Sequence, residues 1–190
     1  MKIPLTIPSF DKSEEKALIS VVRSGWVTQG PKVLEFEDLV KNYTGSKYTI
    51  ATSSATTALF LSLILMGVEK DDEVIVPSFT FIATANVVLQ IGAKPVFVDI
   101  DPQTYNIDPS KIEEKITSKT RVIMPVDFGG LPADMDAIKK IAKKHDLFVL
   151  ADAAASIGSK YKGKKVGNLA DISCFSFHPK KIITSGERGM

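Results

Sequence analysis

An acidic residue and two lysines follow apolar segments in the second half of the chain. Asp152 comes directly after the run LFVLA, and Lys180 and Lys181 come directly after SFHP. A carboxylate at the end of a buried strand destabilises the fold unless a cation or several donors face it. A lysine in a cleft can lose its proton and attack a carbonyl carbon. These residue types favour chemistry at a carbonyl group, although Asp152 could also cap a helix starting at Ala153 and most lysines are surface residues.

The segment TSSAT at 52–56 has the composition of a helix start that can hold an anion. Small and hydroxyl-bearing residues lead directly into the helical run ALFLSLILM. The first N–H groups of a helix have no partner within the helix, and the helix dipole favours negative charge there. The segment lacks the glycine pattern of a P-loop, so it could equally be an ordinary serine cap.

Two phenylalanines could supply the flat surface that a ring-shaped cofactor needs. Phe79 and Phe81 follow the apolar run EVIVP and would face the same way in an extended segment, although most phenylalanines are core residues. A cleft lysine, a buried carboxylate and an anion site are together what pyridoxal 5'-phosphate (PLP) requires. The lysine links to the cofactor, and the carboxylate keeps the pyridine nitrogen protonated. The combination predicts a PLP site, which none of these features predicts alone.

Short apolar segments alternate with helical patterns from residue 46 onward. The predicted strands are 47–52, 73–77, 95–100, 121–126, 147–152 and 172–177, and the predicted helices are 54–67, 79–92, 109–116 and 134–145. Such alternation indicates βαβ units and a mostly parallel sheet with flanking helices. Ligands of open α/β sheets bind beyond the carboxyl ends of the strands, which is where the residues above lie.

Two further helices precede this alternation and form a predicted N-terminal arm. A capping box at Asp11 opens a helix that ends near Gly25, and Pro31 opens a second helix that ends at Gly45. The expected domains are a helical arm over 1–45 and a PLP-binding large domain over 46–190.

The composition argues against several classes of protein. The chain has 190 residues and a formal net charge of +2, and its basic stretches are short, so nucleic-acid binding is not expected. The longest apolar run, ALFLSLILM, is too short to span a membrane. The two histidines lie far apart without further ligands at metal-binding spacing, so no metal site is expected. Cys174 has no partner for an internal disulfide, which suits a cytoplasmic location.

Motifs along the whole chain resemble the DegT/DnrJ/StrS family of PLP-dependent nucleotide-sugar aminotransferases. The matching stretches are SGWVTQGPKVLEFE, SSATTAL, DEVIVPSFTFIATANVV, GAKPVFVDID, GLPADMDAI, LADAAASIGSKYKGKKVG and CFSFHPKKIITSGERG. The resemblance implies the aspartate-aminotransferase architecture, known as fold type I, with PLP as cofactor. It also implies that a cytoplasmic homodimer transfers an amino group, from glutamate, to a keto group of a nucleotide-linked sugar.

The same resemblance implies roles for individual residues. The family's SFHxxK element places the Schiff-base lysine at Lys181 rather than Lys180, and this lysine also moves the proton as general base and acid. Asp152 matches the carboxylate that faces the pyridine nitrogen, and Phe81 matches the aromatic residue stacked on the ring. The residues that match the phosphate-binding positions are Ser176, Ala55 and Thr56.

The chain departs from the family pattern at three points. Ala155 occupies a position where the family usually has Gln or His against the cofactor's ring hydroxyl, and Asp127 stands where the family commonly has histidine. Family members are roughly twice as long, so the chain corresponds to the PLP domain without the small C-terminal domain. We therefore keep the alternative of an inactive or split-gene fragment that is prone to associate through unpaired edges.

Other activities remain open at the level of the sequence. Asp99 and Asp101 form an Asp-x-Asp motif, with which many glycosyltransferases hold a metal ion and a nucleotide-sugar. This reading is less favoured because the motif is short and Pro102 follows at once. Dehydratases within the same family usually have histidine where this chain has Lys181, which favours an aminotransferase. The stretch Trp26–Gly30 could reach a site across a dimer or could simply pack.

Overall fold

A computed structural model describes residues 3 and 6–190 of the chain. Its strands are β1 (Glu73–Pro77), β2 (Lys94–Val98), β3 (Thr120–Ile123), β4 (Phe148–Asp152), β5 (Lys160–Tyr161), β6 (Lys164–Lys165) and β7 (Ile172–Cys174). The described residues form one five-stranded sheet in the order β2-β1-β3-β4-β7, in which every neighbouring pair is parallel. The strands β5 and β6 form a separate antiparallel hairpin. The predicted mostly parallel sheet is therefore confirmed.

The helices flank this sheet and connect its strands. They are α1 (Lys12–Ser24), α2 (Pro31–Thr44), α3 (Ala55–Leu65), α4 (Ala83–Ile91) and α5 (Met135–His145). Short 3-10 turns cover Pro109–Lys111, Glu113–Lys115 and Phe128–Gly130. Within the described part of the chain, no helix is both long enough and apolar enough to cross a bilayer.

The sheet is buried on both faces, as expected for parallel strands covered by helices. Along β1, Val74 and Val76 face one apolar cluster, which also contains side chains of α3 and α4. Ile75, which points the other way, packs in a second cluster together with Ile138 of α5. This two-sided core fixes the sheet, so that the ends of its strands form a rigid platform.

The two N-terminal helices differ in how they contact this core. The capping box at Asp11 is present, and α1 carries no buried residue. In α2, by contrast, Val40 is buried in the core, and Phe36 packs edge-on against Phe177 with the ring centroids 4.8 Å apart. The division of the chain at residue 45 stays a prediction. Trp26 is 56% exposed, and its indole N–H donates to the Gln29 carbonyl oxygen.

The strand predicted at 47–52 is wrong. Only Thr52 pairs there, through two hydrogen bonds with Gly189 of 2.9 and 3.1 Å. The Ala51 N–H donates to the Glu37 carboxylate, and the Thr49 hydroxyl donates to the Glu37 carbonyl oxygen. Because a residue of α2 accepts both hydrogen bonds, the segment lies along that helix instead of joining the sheet.

Two predicted helices differ from the observed ones. The segment 109–116 forms two 3-10 turns, since its N–H groups bond to acceptors three residues back, such as Ile112 to Pro109. The helix expected over 79–92 begins only at Ala83. The chain stays extended past β1 because the Ser78 N–H still bonds to Val98 of β2.

Candidate functional site

A cavity of about 680 Å³ opens beyond the carboxyl ends of the central strands. Its walls come from the segments that follow β1, β3, β4 and β7, together with the first turn of α3. All six residues expected to hold the cofactor line it, namely Ala55, Thr56, Phe81, Asp152, Ser176 and Lys181. The structure thus brings these residues together, while their individual roles stay predictions.

Asp152 ends β4 and is 5% exposed. Its Oδ2 accepts a hydrogen bond from the Thr84 hydroxyl at 2.8 Å, and its Oδ1 accepts one from the Ala154 N–H at 3.3 Å. Burial raises the pKa of the Asp152 carboxyl, and the two donors and the charge of Lys181 only partly oppose this effect. Turns rather than a helix follow at 153–158, so the alternative of a helix cap is wrong.

The first turn of α3 forms a wall of the cavity that is rich in donors. Ser54 caps the helix by accepting the Thr57 N–H at 3.1 Å, whereas the N–H groups of Ala55 and Thr56 belong to the helix start and have no acceptor within the helix. Gly189 lies against this turn so closely that a Cβ there would be 2.2 Å from the Ser54 carbonyl carbon. The arrangement can hold an anion through backbone N–H groups and hydroxyls.

Two lysines line the same cavity. Lys180 is exposed, whereas Lys181 is half-buried, and its backbone N–H donates to the His178 carbonyl oxygen at 2.9 Å. The charge of Lys181 lowers the pKa of Asp152 against the effect of burial. Ser176, which is 8% exposed, pairs with Gly189 next to the start of α3. Of the two lysines, Lys181 is the one whose charge reaches the buried carboxylate.

The two phenylalanines that follow β1 have different surroundings. Phe81 lines the cavity and is 77% exposed. Phe79 instead joins Tyr105 and Phe128, with centroid distances of 4.9 Å from Phe79 to Phe128 and 5.9 Å from Tyr105 to each of the other rings. We call Phe79, Tyr105 and Phe128 the aromatic cluster. Its rings come from three distant segments, which is why the sequence did not show it.

A second carboxyl group, that of Asp127, is buried beside the cavity and is 3% exposed. It accepts hydrogen bonds from the Ser156 hydroxyl at 2.6 Å and from the Ala133 N–H at 3.0 Å. Burial raises the pKa of Asp127, and the nearby Asp152 charge raises it further. The contact with Ser156 ties the segment after β3 to the segment after β4, which carries Ala155 into the cavity wall.

Sequence reasoning missed Thr84 and Ser156, the hydroxyl partners of the two buried carboxyl groups. Both side chains are fully buried. A threonine inside the apolar stretch FIATANVV was the available signal for Thr84, because a polar residue on the buried face of a helix needs a partner.

The two carboxylates of the Asp-x-Asp motif after β2 bond to other groups of the protein. The Asp101 carboxylate accepts the N–H groups of Gln103 and Thr104 at 2.7 and 3.2 Å. Asp99 forms an ion pair with Lys111 at 3.4 Å. These contacts make the motif a turn, as its proximity to Pro102 suggested.

Comparison with known proteins identifies relatives along the described chain and the family whose profile it matches. Residues 8–190 match the sequence profile of the DegT/DnrJ/EryC1/StrS aminotransferase family. GDP-perosamine synthase of Caulobacter vibrioides is 45% identical over 190 residues, which is 100% of this chain and 51% of that protein. UDP-4-amino-4-deoxy-L-arabinose–oxoglutarate aminotransferase of Shewanella sediminis is 39% identical over 188 residues, covering 99% of this chain and 48% of that protein.

Solved structures show the same fold. Spr1654 of Streptococcus pneumoniae, named as a sugar aminotransferase and solved in its PLP form, superimposes with a TM-score of 0.96 at 37% identity. The match covers 100% of this chain and 52% of that one. The fold class expected from the sequence, an aspartate-aminotransferase-like PLP domain, is confirmed. The chain spans about half the length of the curated relatives that it matches.

Proposed function

Because the chain belongs to the DegT/DnrJ/EryC1/StrS aminotransferase family, we propose that it binds PLP and transfers an amino group to a keto group of a nucleotide-linked sugar. The family expected from the motifs is the one that the profile matches. One observation carries the proposal: a buried carboxylate, a lysine and an open helix start face the same cavity. These are the three groups that PLP requires.

The residues around the cavity fit PLP. Both hydrogen-bond donors to the Asp152 carboxylate, Thr84 and Ala154, are neutral, so a protonated pyridine nitrogen would supply the opposite charge that a buried carboxylate needs. The start of α3 and Ser176 would hold the phosphate group. Phe81 offers an exposed ring in the cavity wall, which would cover one face of the cofactor.

Two side chains divide the chemistry. Bound PLP supplies an electron sink, which lets a proton leave the carbon that carries the amino group. Lys181, which lines the same cavity as Asp152, would hold the cofactor and move that proton. Asp152 would keep the ring nitrogen protonated by its negative charge.

The names of the relatives support the substrate classes. GDP-perosamine synthase and the UDP-sugar aminotransferase act on nucleotide-linked sugars, so the amino acceptor proposed here is a nucleotide-linked keto sugar. The second name includes oxoglutarate, which is the product left when glutamate gives up its amino group. We therefore assign glutamate as the amino donor.

The proposed enzyme is a cytoplasmic homodimer. Exposed apolar side chains beside the cavity, such as Ile182 at 76% and Ile82 at 65%, support a subunit contact there. The single Cys174 is buried and forms no disulfide, which suits the cytoplasm. Because the chain spans about half of its relatives, an inactive or split-gene fragment stays the alternative.

Borohydride trapping tests the cofactor site. PLP should bind to the purified protein and produce an absorbance band near the visible edge that borohydride treatment removes. Peptide mapping should then find the label on Lys181. The Lys181→Ala variant should take up no label, whereas Lys180→Ala, which changes a neighbouring lysine of the same cavity, should be labelled normally. A label that persists in Lys181→Ala would contradict the assignment.

An amino-transfer assay separates the enzyme from the fragment. The assay contains glutamate and a keto sugar linked to UDP or to GDP, with formation of oxoglutarate as the readout. Turnover that depends on Lys181 is expected. Normal PLP labelling without any turnover would favour the inactive or split-gene alternative.

A further inference from the structure

The aromatic cluster of Phe79, Tyr105 and Phe128 continues the cavity wall outward. Phe128 lines the cavity and is in ring contact with Phe79 at 4.9 Å. Phe79 and Tyr105 remain 48% and 50% exposed although they pack against each other. A rim of aromatic rings with free faces therefore adjoins the candidate site, and none of the proposed steps uses it.

The backbone at Tyr105 is strained. Its φ of 59° lies in the left-handed region, which is unfavourable for a bulky residue. Neighbouring hydrogen bonds hold this conformation: the Tyr105 N–H donates to the Asp101 carbonyl oxygen at 2.8 Å. The side chain of Asn106 bonds to both the Phe128 N–H and the Leu131 carbonyl oxygen, at 2.9 and 3.0 Å. The loop is thus locked to the turn that carries Phe128, and it presents a tyrosine ring to solvent at a cost in backbone energy.

The charges near the cluster narrow the choice of ligand. The carboxylates of the same loop, Asp99 and Asp101, already have partners in Lys111 and in the turn amides. Lys111, the cation of that loop, is paired in turn with Asp99 and Asp108. The surface therefore offers ring faces rather than free charge, which suits a flat, uncharged heterocycle and does not suit a phosphate group.

We propose that the aromatic cluster is the stacking surface for the nucleobase of the nucleotide-linked substrate. This inference rests on the proposed function and deepens it, since it assigns the base to one part of the surface. Stacking on aromatic rings tolerates different bases because every base has a π-face. The cluster should therefore bind uracil and guanine with similar strength and leave discrimination to other groups.

Calorimetric titration of the purified protein with UDP and with GDP tests this assignment. The main variant is Tyr105→Asn, because asparagine tolerates the left-handed backbone better than tyrosine does. We expect about tenfold weaker binding of both nucleotides by this variant, and affinity close to that of the wild type for Tyr105→Phe, which keeps the ring. Inorganic pyrophosphate, which has no base, should bind equally to all forms.

Control measurements make the result decisive. Tyr48→Asn removes another exposed tyrosine, 74% exposed and outside the aromatic cluster, and should leave nucleotide binding unchanged. A urea midpoint for Tyr105→Asn at or above that of the wild type would show that the variant folds. Equal nucleotide affinity in wild type and Tyr105→Asn would overturn the proposal. Absence of nucleotide binding by the wild type would also overturn it. So would a Tyr105→Asn variant that loses self-association but keeps the nucleotide affinity of the wild type.

The failure of this inference and the failure of the proposed function are distinguishable. Borohydride labelling of Lys181 by PLP reports on the cofactor site and should be the same in Tyr105→Asn and in the wild type. If Tyr105→Asn is labelled normally and binds nucleotides as tightly as the wild type, the proposed stacking surface is wrong and the aminotransferase assignment still holds.

Discussion

Two carboxyl groups line the same cavity, and their different hydrogen-bond partners indicate different roles. Asp152 accepts a threonine hydroxyl and an N–H group, and the charge of Lys181 acts on it. Asp127 is held by Ser156 and by the Ala133 N–H, which join two loops. We therefore propose the first carboxyl as the partner of the cofactor, whereas the contacts of the second position a loop.

The Asp152→Asn variant should separate charge from shape. Asparagine keeps the size of the side chain and can still accept the Thr84 hydroxyl, but it cannot stabilise a protonated ring nitrogen. We expect PLP to bind more weakly and amino transfer to fall by about 100-fold or more, as for the loss of one strong electrostatic contact. Absorbance titration and steady-state assays measure the two effects. Turnover equal to that of the wild type would show that Asp152 has only a structural role, as the hydrogen-bond acceptor of Thr84.

The Asp127→Asn variant should change how stability depends on pH. The pKa of Asp127 is raised in the folded state, chiefly by burial, so this group contributes stability below its unfolded pKa that is lost as pH rises through the folded value. Asparagine removes that loss and can keep both hydrogen bonds. The variant should therefore gain stability relative to the wild type as pH rises from about 4 to 8. Urea unfolding midpoints across this range measure the difference.

An exposed aspartate provides the control for that experiment. The pKa of Asp136 is lowered, chiefly by its hydrogen bond with Lys162, so its contribution is present above the unfolded pKa and is lost as pH falls through the folded value. Asp136→Asn should therefore shift stability at neutral pH in the opposite direction, or hardly at all because the site is exposed. A pH profile of Asp127→Asn that runs parallel to that of the wild type would show that burial of Asp127 has no net electrostatic cost.

At the scale of elements, the start of α3 depends on a glycine from the far end of the chain. A Cβ at position 189 would lie 2.2 to 2.4 Å from backbone atoms of Ser54 and Ala55, and backbone cannot move aside as a flexible side chain can. Gly189→Ala should therefore cost about 1–3 kcal/mol of stability. It should also weaken PLP binding, because the helix start must shift. Thermal unfolding and absorbance titration test both expectations.

Gly163→Ala is the matched control for the glycine substitution. Gly163 lies in the turn between β5 and β6. A methyl group added there would have no neighbour within 4 Å, but the φ of Gly163 is 82°. Its replacement should cost stability through backbone strain alone and should leave PLP affinity unchanged. Equal PLP affinity in both glycine variants would show that the contact at Gly189 does not shape the cavity.

The sequence predicted the elements whose patterns are local and missed those set by distant partners. The strand that ends at Asp152 and the helix that begins at Ala55 follow from apolar periodicity and from a serine cap. The strand expected at 47–52 failed because Glu37 of α2 takes the Ala51 N–H, a contact that no local pattern encodes. The aromatic cluster was invisible for the same reason, since its rings meet only after the sheet has formed.

At the scale of the whole molecule, the apolar surface predicts self-association. Leu65 and Ile182 are 78% and 76% exposed, and large exposed apolar surfaces mark contact sites between proteins. We expect the purified chain to form dimers or larger species. Size-exclusion chromatography with light scattering over a range of protein concentrations is the measurement. A monomer at every concentration would argue against the proposed homodimer.

The pairing of Thr52 with Gly189 has a consequence for the order of folding. These two hydrogen bonds close a loop that includes the whole sheet, and the entropy of closing so long a loop is lost before the contact stabilises anything. The pairing therefore forms late, and the cavity wall at the start of α3 forms with it. A phosphate compound bound there stabilises only the completed fold by mass action. Amide hydrogen exchange of Thr52 and Gly189 should then slow when the ligand binds, because their amides exchange only when the whole protein unfolds.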